Sequence, residues 1–415
     1  MRLLELGYEL PKNWREATIS DVTSKVGSGA TPRGGSSVYT NNGIPLVRSQ
    51  NVLDNSFSNA GLAFLSDQSA SSLKNVELRA NDVLLNITGD SILRCCLLPD
   101  VMIGGRVNQH VAIIRASDAV IPLYLQKWLV QDWFKDFMLS HSAGATRKAI
   151  TKGQILSFPI ALPPLPEQRR IAGVLGALDD KIESNRAQQH LGEQLVRALI
   201  ERIIDQFSGA DFTTLDAYCT HLKESVQPEN LVSGDKYIAL EHMPRGSVFL
   251  NSWTNAEHAG ISSNKTRFRQ GDLLFGKLRP YFKKVGVAPV AGVCSTDILV
   301  VRPRLQEFLP LITVVASSDA LINSVSASAT GTRMPRASWK DISKWPIPRI
   351  ADETLITLLQ PANQLIAFSQ ALSFQNIRLA ELRDALLPEL MSGRMRVDEA
   401  GCLVSEALDE EVRSV

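Results

Sequence analysis

The stretch Pro163 to Phe207, PPLPEQRRIAGVLGALDDKIESNRAQQHLGEQLVRALIERIIDQF, decides how the rest of the chain is read. After Pro166 no proline interrupts it. Pro166 followed by Glu167 suits a helix start, because proline's fixed φ fits the first turn and an acid favours the positive end of the helix dipole. Ser208-Gly209 suits a stop. Apolar residues recur at 171, 175, 178, 182, 196, 199 and 203, and Asn185, Gln189 and Gly192 fill the remaining places of the same stripe. That spacing predicts one amphipathic helix with a polar middle, reaching roughly 60 Å at about 1.5 Å per residue. Such a length suits a spacer or a coiled-coil arm more than a compact domain.

A second stretch repeats the design. Leu355, Leu358, Ala362, Leu365, Ser369, Leu372, Asn376, Leu379, Arg383 and Leu386 follow a 3-4 spacing, with leucine always at one of the two positions. This predicts a second long helix with a coiled-coil stripe. Pro361 argues for a bend near its start.

The composition bounds the answer. A chain of 415 residues with 44% apolar and 21% charged residues is expected to form two or three ordinary globular domains. No apolar run approaches a membrane span and Met1 to Glu5 does not open a signal peptide, so a cytoplasmic location is expected. Five cysteines without CxxC or Cys/His ligand spacing read as buried reduced thiols rather than a metal site. The formal net charge is only +1, but residues 265–284 carry seven basic residues against Asp272, and residues 146–152 carry three basic residues and no acid. Basic loops on a neutral body suit a protein that meets phosphate at chosen places; a solvated face is the plainer alternative.

The chain also repeats itself. Asp82-Val83-Leu84-Leu85 matches Asp272-Leu273-Leu274-Phe275, and residues 105–111 match 292–298. Ser142 to Thr146 matches Ser326 to Thr330, and Phe158-Pro159-Ile160 matches Trp345-Pro346-Ile347 just before each long helix. The offsets of 190, 187, 184 and 187 stay in register. The expected organisation is therefore a globular domain over 1–162, a helix over 163–207, a similar domain over 208–349, a helix over 350–393 and an acidic tail over 394–415. Within the domains, strands are expected at 44–48, 82–88 and 110–115, then at 237–240, 272–275 and 297–301, with helices over 122–139 and 310–325. If the second helix turns back along the first, both stripes are buried and an approximate two-fold axis follows. The fold class is α+β: two similar mixed domains separated by two long antiparallel coiled-coil helices. Two such domains on a stiff spacer suit duplex DNA with two half-sites at fixed separation.

At these residues the chain resembles the specificity subunits of Type I restriction–modification enzymes. The resemblance rests on Leu162 to Ala172 (LPPLPEQRRIA), on Gly276 to Tyr281 (GKLRPY) with Gly292 to Ile298, and on Leu386 to Gly393 (LLPELMSG). The second helix start, Pro346 to Asp352, departs from the family pattern. The resemblance implies a target-recognition domain for each half of a bipartite asymmetric DNA sequence and helices that set the unread spacer. It implies no active site and no cofactor in this chain. Two modification subunits would use S-adenosylmethionine to methylate adenine, and restriction subunits would use ATP and magnesium. In agreement, the sequence holds no GxxxxGK[ST] loop, and Asp179-Asp180 diverge on a helix. A scaffold joining two protein-binding domains is the alternative from another class.

Candidate DNA contacts are Gln50, Asn51, Asn108, Gln109 and His110, whose amides or ring sit near strand ends, with Arg33 in a glycine-rich loop and Thr146, Arg147 and Lys148. In the second domain they are Lys277, Arg279, Tyr281, Lys283 and Lys284, the densest basic and aromatic cluster, with Thr332, Arg333 and Arg336 mirroring 146–148. Glu183, Asn185, Arg186 and Gln189 on the first helix, and Ser369, Gln370 and Asn376 on the second, are either a docking surface for other subunits or polar layers that fix helix register.

Overall fold

The computed structural model describes residues 3–142, 148–328 and 335–413. Two long helices, Leu165–Gln206 and Asp352–Ser392, run close to the expected bounds. The chain divides into two units, Met1–Glu183 with Leu379–Val415, and Ser184–Arg378. Each long helix thus contributes one part to each unit.

The first unit holds a four-stranded antiparallel sheet in the order 23–28, 111–116, 82–86, 95–97, and a second sheet in the order 39–40, 63–65, 44–47, 106–107. Strand 15–18 pairs antiparallel with 159–162, just before the first long helix. The second unit repeats the plan. Its four-stranded sheet has the order 219–222, 298–303, 273–276, 285–287, and strand 212–214 pairs with 346–348 just before the second long helix. The repeat extends to a parallel pair, 44–47 with 106–107 in one unit and 236–238 with 292–294 in the other. The central strands, Asp82–Asn86 and Leu273–Gly276, are buried along their whole length, which explains their runs of valine, leucine and phenylalanine.

An ion pair is repeated as well. Asp82 accepts Arg115 Nε at 2.7 Å and the Arg79 backbone N–H at 2.8 Å. Asp272 accepts Arg302 Nε at 2.7 Å and the Arg269 backbone N–H at 2.7 Å. Both carboxylates are buried, and each is satisfied by a guanidinium from the neighbouring strand, as a buried charge requires.

The long helices pack antiparallel in each unit. In the first, Ile171, Leu175, Leu178 and Ile182 share a core with Leu379, Leu386 and Leu390, and Arg383 Nη1 donates to Asp179 Oδ1 at 2.9 Å. In the second, Asn185 donates to Asn376 Oδ1 at 2.9 Å, and Gln189 donates to the Ser369 carbonyl and Ser373 Oγ at 2.7 Å each. A polar layer therefore joins the two helices in the second unit.

Several expectations need correction. In the second helix Leu358 and Leu365 are only half-buried, while Leu359 and Ile366 are fully buried beside Phe308 and Ile312. A straight α-helix drifts about 20° per heptad against a 3.5-residue repeat. Here the second domain's core takes up that drift and selects the adjacent residue. Each expected domain helix is two helices. Pro122–Leu129 and Asp132–Ser140 break at Val130-Gln131, and Leu309–Ser317 is followed by Asp319–Ser328, the bend between Gln306–Ser317 and Asp319–Ser328 being 58°. Ser318 causes the second break: its backbone is extended and its Oγ caps the Leu321 N–H at 3.2 Å. The acidic tail is a helix, Val397–Arg413, whose Ala400 and Val404 enter the first unit's core. Among the described residues no single helix is long and apolar enough to cross a membrane.

Two further features fix the first long helix to its domain. Gln168, buried, accepts the Ile121 N–H at 2.9 Å and donates to the Pro163 carbonyl at 2.9 Å. Lys127, 1% exposed, pairs with Asp179 and donates to Asn55 Oδ1 at 2.7 Å. Burial pulls the Lys127 amine below its ordinary pKa, and the Asp179 charge opposes that shift. Asp179 thus stands between two cations, Lys127 and Arg383. Asp179→Ala leaves a buried ammonium without a counter-charge and should cost about 3–5 kcal/mol of stability, read by urea denaturation. A loss near zero would show that this cluster does not hold helix and domain together.

Candidate nucleic-acid interface

In the first unit the parallel strands 44–47 and 106–107 end side by side, and the Val47 carbonyl accepts the Asn108 N–H at 3.0 Å. Beyond that point lies an open cleft of about 990 Å³ lined by Ser49, Gln50, Arg94, His110, Lys148 and the loop 88–92. Three of the expected contact residues, Gln50, His110 and Lys148, are brought together there. The ring of His110 bonds Thr88 Oγ1 through Nδ1 at 2.7 Å and Gln109 Nε2 through Nε2 at 3.1 Å. With the Gln109 amide donating, the ring proton sits on Nδ1 and is given to Thr88. Gln50 is exposed, lines the cleft, and donates from Nε2 to the Gly61 carbonyl at 3.1 Å.

Asn51 is corrected to a structural residue. It is fully buried, its Oδ1 accepts the Arg48 N–H at 3.0 Å, and its Nδ2 donates to the Ser58 carbonyl at 2.8 Å. The second unit repeats that role with another side chain: His242 Nδ1 accepts the Ala239 N–H at 2.9 Å. Asn108 is also largely buried, with its Oδ1 on the His110 N–H at 3.2 Å. Arg33 is exposed in its loop. The base of that loop passes so close to strand 106–107 and its end that a Cβ on Gly29 would lie 2.3 Å from the Asn108 carbonyl oxygen. Glycine is required there by contact.

The equivalent region of the second unit is built in register. The Ser295 N–H donates to the Ile238 carbonyl at 3.0 Å, and Asp297 N–H to Ser295 Oγ at 3.3 Å, as Asn108 and His110 do in the first unit. The loop 277–284 takes the place of 87–94, and left-handed backbone recurs at matching points: Gly89 and Leu93, then Arg279 and Lys283. A left-handed arginine and lysine are uncommon for residues with a Cβ; Arg279 N–H donates to the Pro335 carbonyl at 2.9 Å and Lys283 N–H to the Pro280 carbonyl at 2.8 Å. Phe282 anchors the cluster: Arg245 stacks on its ring at 3.8 Å and Tyr281, half-exposed, meets it edge-on at 4.8 Å. Of the expected contacts, Lys284 is held by the Leu240 carbonyl and Lys283 by Asp319. Lys277 reaches the Thr296 carbonyl, and Arg336 pairs with Asp297 at 3.2 Å. Thr146, Arg147, Thr332 and Arg333 lie outside the described residues.

Asn185, Gln189, Ser369 and Asn376 are buried in the polar layer between the helices, so they fix register and are not open to docking. Glu183 and Arg186 are exposed, Gln370 half-buried. Exposed Leu191, Leu195 and Phe368 add an apolar component to the helices' outer surface that the stripe analysis missed. Arg94, in the cleft of the first unit, and Arg245, stacked on Phe282 in the second, were missed. The offset of 190 that aligns Asp82 with Asp272 also maps Lys284 onto Arg94, so a signal for Arg94 existed; for Arg245 there was none. Among the described residues no group of His, Cys, Asp and Glu could hold a metal ion. Burial pushes the Cys96, Cys219 and Cys294 thiols up to about 12 and keeps them unreactive, while Cys402 is exposed.

Residues 11–191 match the family described as Type I restriction modification DNA specificity domain. The chain is similar to the Type I restriction enzyme EcoDI specificity subunit of Escherichia coli, 20% identical over 70% of this chain and 74% of that one. It is also 20% identical to the EcoKI specificity subunit of Escherichia coli strain K12, over 93% of this chain and 90% of the relative. The crystal structure of the Type I restriction-modification S subunit from M. genitalium shares the fold, with a TM-score of 0.57 at 12% identity over 92% of this chain and 97% of that chain.

The structural and exposed positions of the first cleft separate by stability. Asn51→Ala should cost about 1–3 kcal/mol because it strands the buried Arg48 N–H and the Ser58 carbonyl. Gln50→Ala should stay within about 0.5 kcal/mol. Chemical denaturation of both variants checks this, and equal losses would refute the division.

Proposed function

We propose that this chain, whose residues 11–191 match the Type I restriction modification DNA specificity domain, is the non-catalytic DNA-reading subunit of a Type I restriction–modification enzyme. Each globular domain reads one half of a bipartite, asymmetric sequence, and the two long helices set the unread length between the halves. The observation that carries this reading is the duplicated frame at the strand ends. Two domains of one plan present the same strand ends and the same left-handed loop, but line them with different side chains. Equal frames with unequal linings suit two half-sites of unequal sequence.

Part of the contact set meets phosphate and positions the duplex, and part meets base edges and selects it. Lys148 at the cleft of the first unit, with Arg279 and Arg336 in the second unit, serve as phosphate contacts. Gln50 and His110 face base edges. The two modification subunits and the restriction subunits dock on the long helices, where Leu191, Leu195 and Phe368 supply apolar contact. S-adenosylmethionine, ATP and magnesium belong to those subunits, and the assembly works in the cytoplasm.

Two experiments test this. Arg279→Ala should reduce the slope of log affinity for duplex DNA against log salt by about 0.9, while leaving base preference intact. An unchanged slope would remove Arg279 from the phosphate set. Inserting seven residues into each long helix at the paired Asn185 and Asn376 keeps the stripes in phase and adds about 10 Å. The methylated or cleaved motif should then gain roughly three base pairs of spacer at about 3.4 Å each, with both halves unchanged. Altered half-site bases with the old spacer would contradict the ruler.

A further inference from the structure

We infer that Glu241 reads a cytosine in the half-site of the second domain, through the exocyclic amino group of that base. The inference rests on the DNA-reading role proposed above. It starts from the register between the two units. In the first, Ser49–Asn51 forms a turn after strand 44–47; in the second, Leu240–His242 forms one after strand 236–238. Asn51 N–H donates to the Arg48 carbonyl at 2.8 Å and Val52 N–H to Ser49 at 3.3 Å. His242 N–H donates to the Ala239 carbonyl at 3.1 Å and Met243 N–H to Leu240 at 3.2 Å. With the Asn51 and His242 caps already matched, Gln50 and Glu241 occupy one position. Gln50 lines the first cleft, and both side chains are exposed.

The surroundings of Glu241 are cationic. Lys284 is tied to the carbonyl of the preceding residue, Leu240, and Arg245 lies four residues on, stacked over Phe282. Asp297, whose charge acts on Tyr237 as that of Glu241 does, is paired with Arg336. No hydrogen-bond or ion-pair partner engages Glu241 among the described residues, although its charge acts on Lys284.

An unpaired carboxylate on a phosphate-binding face repels every duplex alike unless it meets a donor. Base chemistry then chooses the donor. Guanine shows only acceptors in the major groove, and thymine an acceptor and a methyl group. Adenine's amino group stands next to the N7 lone pair, which repels a carboxylate. Cytosine offers its N4 amino group with no adjoining acceptor on the same base, so it alone rewards an acceptor-only side chain.

The test is selection from random duplexes by the full chain assembled with its modification subunits, using the wild type, Glu241→Ala and Glu241→Gln. The wild type should show one cytosine position in one half-site, preferred by at least about tenfold. Glu241→Ala should lower that preference to within about twofold, leave every other position as it was, and bind non-specific duplex more tightly. Glu241→Gln should move the preference at that position towards adenine, since an amide both donates and accepts. Three identical motifs would overturn the inference. So would a uniform change in affinity at all positions, which would make Glu241 a general electrostatic brake. A wild-type complex with no sequence preference would instead bring down the DNA-reading role itself.

Discussion

The stripe on each long helix cannot remain in water. In each unit the stripe of one helix is covered by the other, running the opposite way, and by the core of a globular domain. At about 25 cal/mol per Å² of apolar surface, this burial is the driving force on which the architecture depends. The polar layer of Asn185, Gln189, Ser369, Ser373 and Asn376 then supplies what burial lacks. Hydrophobic contact is indifferent to a slip by one turn, whereas these side chains match only in one register.

That fixed register gives the reading heads their meaning. Gln168 pins the first helix to backbone groups of its domain, and Lys127 and Arg383 meet across Asp179. The position of the strand ends is therefore tied to the helix. Within each domain the frame is conservative and the tips are not. Asp82 with Arg115 and Asp272 with Arg302 hold the same strands together, while the loops beyond carry Asp90 and Ser91 in one unit and Pro280 and Tyr281 in the other. Changing a tip leaves the frame's hydrogen bonds in place, so the two domains can diverge in what they read without diverging in fold.

The two helices, the duplication and the order of elements are legible in the letters, because each depends on short-range periodicity or on matching segments. The stripe at 171–203 needs no tertiary information, and the offset of 190 between Asp82 and Asp272 is visible in the letters. Tertiary structure alone decided which face of a helix is buried and which polar groups are free. Leu359 replaced Leu358 in the seam because the second domain's core lies against that side. Asn51 was drawn inward by an unsatisfied backbone N–H, and Ser318 split a helix whose apolar pattern ran straight through it. The C-terminal helix escaped notice because its acids dominate the composition, while Ala400 and Val404 needed a core to bury them. Whether an amide or a carboxylate faces solvent or caps a turn is a question of partners far apart in the chain, and such partners meet only once it has folded.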